Sequence, residues 1–150
     1  MRFALIPALM AATLLTLSAC GDEGEGGKVD VVLKEWAVEP GVDTLPEGQV
    51  TFNTDNEGPD EDHELVIIKT DFAPADLPTN DDGSVDEGAS GLDVKGTVRD
   101  IEPGDDNSGV YTLDPGKYVL ICNRVSDVDG QETAHYAQGM RAAFTVTASE

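Results

Sequence analysis

Apolar residues recur along this chain in short runs with a two-residue period, separated by turn-forming residues. Val29, Val31 and Leu33 share one face of residues 28–38, and Val50 and Phe52 share one face of residues 49–54. Successive side chains of a strand point to opposite faces, so this alternation predicts half-buried β-strands. His63–Lys69 (HELVIIK) is apolar on both faces, the pattern of a strand covered on both sides. Further strands are predicted over residues 94–101, 110–113, 117–122 and 141–147. No long stretch carries a helical period. Many short strands without helices predict an all-β protein, a two-sheet β-sandwich. Residues 70–91 break the rhythm. They are rich in Asp, Pro and Gly and are expected to form a long surface insertion, with only residues 74–77 hinting at a helical turn.

The first residues have a different character. Arg2 is followed by an apolar run over residues 3–17, too short for a membrane span and suited to an export signal. The run ends in Leu17-Ser18-Ala19-Cys20, which resembles a bacterial lipobox. A signal peptide over residues 1–19 is therefore expected, with cleavage before Cys20 and lipid attachment to its thiol. An ordinary signal peptide cleaved nearby is the alternative. Residues 20–27 are acidic and glycine-rich and read as a flexible tether, leaving residues 28–150 as one domain. Several lipid chains would anchor the protein stably at the outer face of the cytoplasmic membrane or in the periplasm. The chain has two cysteines. They could form a disulfide in an oxidising compartment, but with Cys20 lipidated Cys122 is the sole remaining thiol.

Charge narrows the partners. The 150-residue chain carries 30 acidic and nine basic residues, a net charge of −21. Such a surface argues against nucleic acid and against electrostatic binding to anionic lipid. It suits either life in strong salt or docking of a basic partner. The acids are spread along the whole chain, which favours the first.

The candidate chemistry lies in four side chains. His63 opens one predicted strand and Cys122 ends another. His135 and Met140 sit on the following loop, before the last strand. Alternation puts Tyr118, Leu120 and Cys122 on one face. Two imidazoles, a thiolate and a thioether make a trigonal set with a weak axial ligand, which copper accepts in both oxidation states. Taken singly, each residue has a plainer role as core or structural side chain. The chain has only two histidines and one spare cysteine, and all three fall in this set. With both histidines used, nothing remains for further copper sites or a nucleophile dyad, so an enzyme is not expected.

The sequence also resembles a family. Asn56-Glu57-Gly58 before His63-Glu64-Leu65, then Pro115-Gly116-Lys117-Tyr118 up to Cys122, then His135-Tyr136-Ala137-Gln138-Gly139-Met140 are similar to the plastocyanin/azurin blue-copper proteins, a cupredoxin family, in its exported bacterial form. The likeness covers residues 28–147. It implies a cupredoxin-like Greek-key β-sandwich with one type 1 copper ion held by His63, Cys122, His135 and Met140. It also implies a one-electron carrier, a monomer, serving membrane cytochromes or a terminal oxidase. His135 would be the surface electron port, within an apolar patch that includes Tyr136, Ala137 and Met140. Copper storage or delivery without electron relay is one alternative, and a metal-free accessory module is another. Two departures stand out. Twelve residues separate Cys122 from His135, and residues 124–133 are expected to be a flexible acidic insert looped out of the site. Glu64 also stands where the family often has asparagine.

Overall fold

The computed structural model describes residues 26–149. The expected signal peptide, Cys20 and the part of the expected tether up to residue 25 lie outside them. Strands β1 (Gly27–Lys34), β2 (Ala37–Pro40), β3 (Thr44–Pro46) and β4 (Gly48–Asn56) come first. They are followed by β5 (His63–Lys69), β6 (Asp93–Ile101), β7 (Asp106–Leu113) and β8 (Gly116–Ile121). A short pair, β9 (Val125–Val128) and β10 (Gln131–Ala134), leads into the one-turn helix α1 (His135–Gln138) and the last strand, β11 (Arg141–Thr147).

The strands form two main sheets. One has the order β2-β1-β4-β7 and the other β3-β11-β8-β5-β6, while β9 and β10 pair only with each other. The chain crosses between the sheets repeatedly, as a sandwich requires. The two-residue period of β1 and β4 has the predicted consequence. Val29, Val31, Leu33, Val50 and Phe52 are buried, and parallel pairing sets Val29 beside Phe52. Facing them from the second sheet are Leu65, Ile67, Leu120 and Phe144, within the same apolar cluster.

The apolar residues of HELVIIK serve two layers. Leu65 and Ile67 face the central core, whereas Val66 and Ile68 face outward into a second cluster with Val119, Ile121 and Tyr136. The insertion over residues 70–91 supplies the cover through Leu77 and Val85. Tyr136 Oη donates to Pro74 O at 2.8 Å and accepts from the Leu77 N–H at 3.2 Å. Asn123 clamps Val85 from both sides, accepting its N–H at 2.6 Å and donating to its carbonyl at 3.0 Å.

Three local differences from expectation have physical causes. Residues 28–38 are not one strand, because the chain turns at Glu35-Trp36 and β2 folds back antiparallel on β1. β7 begins earlier than expected, at Asp106. It is an edge strand with polar side chains in solvent, so its first half carries no apolar alternation. β3 pairs parallel with β11 over only three residues, too short a run for a sequence signal. The corner before β8 is as expected: Tyr118 is buried and its hydroxyl donates to Asp114 O at 2.8 Å.

Candidate metal centre

One end of the sandwich gathers the four predicted ligands. His63 is the first residue of β5, and Cys122 directly follows β8, its neighbour in the sheet. His135 opens α1, and Met140 lies between α1 and β11. Backbone hydrogen bonds stitch this loop. The Cys122 N–H donates to Met140 O at 3.1 Å, the Met140 N–H to His135 O at 3.1 Å, and the His135 N–H to Arg124 O at 2.9 Å. Gly139, with φ of 122°, adopts the positive φ that closes the turn.

The side chains converge. His63 Nδ1 lies 3.2 Å from His135 Nδ1, and Cys122 Sγ lies 3.8 Å and 3.4 Å from these two nitrogens. A small metal ion bonded at about 2.0 Å to nitrogen and about 2.3 Å to sulfur holds such donors about 3.3–3.8 Å apart. The triangle therefore fits a metal without rearrangement. All three residues and Met140 are 0 % exposed, and Met140 shares the core cluster with Cys122. Two imidazoles and a thiolate in a dry trigonal arrangement suit copper.

Burial also sets the protonation of these side chains. It pushes the Cys122 thiol up to about 11, although the backbone N–H groups of Glu64 and Arg124 pull the other way. It holds His135 down to about 4, helped by the nearby His63, and lowers His63 as well. The imidazoles are thus neutral and able to ligate, while metal uptake must displace the thiol proton.

The outward ring nitrogens have their own partners. His135 Nε2 lies 2.8 Å from Ser126 Oγ on β9 and 3.8 Å from Glu61 Oε2. With Nε2–H donated to Ser126, Nδ1 keeps its lone pair for the triangle. His63 Nε2 is buried without a hydrogen bond and lies 3.7 Å from Glu35 Oε1. The Trp36 ring stands edge-on to the His135 imidazole, with centroids 5.1 Å apart. Nothing in the hydropathy pattern marks Ser126, Glu61, Glu35 or Trp36.

Neither a protein-family model nor a curated protein sequence matches the chain. Solved structures do. A dithionite-reduced auracyanin from Roseiflexus castenholzii aligns over 81 % of this chain and 96 % of its own, with a TM-score of 0.58 and 21 % identity. Auracyanin A from Chloroflexus aurantiacus, described as a "blue" copper protein, aligns over 81 % and 100 %, with a TM-score of 0.52 and 17 % identity. Rusticyanin from Thiobacillus ferrooxidans aligns over 83 % and 79 %, with a TM-score of 0.53 and 14 % identity. This chain has the cupredoxin fold.

Within that cupredoxin frame, two expectations about the ligand loop need correction. First, His135 is not at the surface. It is fully buried beneath Trp36 and β9, and of the expected apolar patch only Ala137 is exposed. Tyr136 turns back into the outer cluster and Met140 into the core. Second, the acidic stretch between Cys122 and His135 is not looped out. It forms the β9–β10 hairpin, in register from Val125↔Ala134 to Val128↔Gln131. Its turn is Asp129-Gly130, both at positive φ, the geometry that Asp-Gly favours. Glu64 is also resolved. Its carboxylate lies 3.4 Å from the Arg99 guanidinium and pushes the Cys122 thiol up by charge, while its backbone N–H pulls the thiol down.

Proposed function

We propose that this protein is an exported, lipid-anchored electron carrier with a single type 1 copper ion held by His63, Cys122, His135 and Met140. The observation that carries this reading is the buried triangle of two imidazole nitrogens and one sulfur, 3.2–3.8 Å on each edge. Copper bound there would supply a one-electron Cu(II)/Cu(I) couple. The residues contribute rigidity and dryness. The ligands come from two adjacent strands and a hydrogen-bonded loop, so they have little freedom to move when the charge changes. Complete burial disfavours storage or delivery, since a site that hands copper on needs an open ligand face.

The electron needs a route through this cover. Trp36 is half-buried, touches His135 and reaches the surface, so it is our choice of port. Partners would be membrane-bound cytochromes or a terminal oxidase, met on the outer face of the cytoplasmic membrane or in the periplasm. Among the described residues no helix is long and apolar enough to cross a membrane. In this reading the anchor is the lipid on Cys20.

Voltammetry of the copper-loaded protein checks the carrier role. A fast, reversible one-electron wave is expected, and a copper protein that cannot cycle contradicts it. The anchor is checked by expressing the full chain with Cys20→Ala. The variant should move from the membrane fraction to the soluble fraction, and unchanged membrane retention would remove the lipid from the account.

A further inference from the structure

The two ligand imidazoles share a polarity. Each turns Nδ1 inward to the triangle and Nε2 outward, and each Nε2 faces a carboxylate: Glu35 at 3.7 Å from His63, and Glu61 at 3.8 Å from His135. Both carboxylates are largely shielded, with side chains 15 % and 20 % exposed. They are also fixed in place. Glu35 Oε1 accepts the backbone N–H groups of Glu61 at 2.9 Å and Asp60 at 3.3 Å. A Cβ at Gly58 would stand 2.5 Å from the same oxygen, so glycine there leaves the space that Glu35 fills. The segment carrying Glu61 is pinned by Asn56, whose Nδ2 donates to Glu61 O at 2.8 Å and whose Oδ1 accepts the Gly58 N–H at 2.9 Å.

From this arrangement we infer that Glu35 and Glu61 are a built pair of potential-setting carboxylates, acting on the metal through His63 and His135. The inference rests on the copper reading above. Oxidation of Cu(I) to Cu(II) adds one positive charge at the ligand triangle and gives one electron to the acceptor. Two fixed negative charges behind the imidazoles favour the more positive state by Coulomb attraction. This acts toward Cu(II) and a lower reduction potential. Ser126, neutral and 2.8 Å from His135 Nε2, orients that ring without adding charge. The pair thus offsets the burial of the site, which favours Cu(I).

The test is the reduction potential of the copper-loaded protein with Glu35→Gln, Glu61→Gln and both. Glutamine keeps the shape and can still accept the backbone N–H groups at Glu35. Each single variant should keep the thiolate-to-copper absorption band and shift the Cu(I)-to-Cu(II) preference about tenfold toward Cu(I), a rise of about 59 mV for one electron. The double variant should shift it further. Glu57→Gln is the control. That carboxylate is 59 % exposed and pairs with Lys34 at 3.6 Å, so its loss should leave the potential unchanged. Potentials of Glu35→Gln and Glu61→Gln equal to that of the parent, with the band intact, overturn the carboxylate pair and leave the copper site standing. Absence of the band in the parent protein overturns both.

Discussion

Trp36 stands against His135 where the resemblance placed open solvent, and it covers the ligand without displacing it. If it is the port, Trp36→Leu should slow oxidation of the reduced protein by a small inorganic oxidant such as ferricyanide at least tenfold, while Trp36→Phe retains most of the rate. Stopped-flow mixing measures both, and equal rates in all three proteins would exclude Trp36 from the route. The grouping of His63, Cys122 and His135 was legible from residue type, because a chain with two histidines and one spare thiol offers few other ways to satisfy a metal. Their neighbours were not. Glu35 reaches His63 from 28 positions upstream only because the β1–β2 turn falls beside the start of β5. Ser126 reaches His135 only because the hairpin folds over the site.

At the scale of elements, the strands with clean alternation were readable and those whose faces are set by distant neighbours were not. β4, β5, β6, β8 and β11 lie within two residues of expectation at both ends. The β9–β10 hairpin carried a sequence signal, since Val125–Val128 and Gln131–Ala134 flank an Asp-Gly pair, but its acidity argued for a flexible loop. Backbone pairing overrode that composition. The insertion over residues 70–91 reads as polar surface, yet its few apolar side chains cap the outer face of β5 and β8. That cap is why HELVIIK is apolar on both sides. Phe52 tests the opposite face of the fold. Its ring is 0 % exposed and packs edge-on against Phe144, with centroids 5.9 Å apart. Phe52→Ala should cost about 3–5 kcal/mol in chemical denaturation. The copper spectrum should be unchanged, because β4 contributes no ligand. A loss under 1 kcal/mol would mean that the sandwich core is not packed as described.

Over the whole molecule, the sandwich serves to bring two distant parts of the chain to one dry corner. Residues 63 and 122 are 59 positions apart and meet because β5 and β8 are neighbours in one sheet. The chain's net charge is −21, and the triangle itself consists of two histidines and one cysteine. Many of the basic residues are already paired, as Lys34 is with Glu39, Lys95 with Asp93 and Arg124 with Asp62. In strong salt the screening length falls to about 3 Å, so long-range charge steering would be largely screened there. Titration of the folded protein with Cu(II), followed by visible absorption, decides whether the buried triangle is a type 1 copper site. An intense thiolate-to-copper band should grow linearly, saturate at one copper per chain and be absent from Cys122→Ser. A colourless titration, or a band that survives the loss of Cys122, would contradict it.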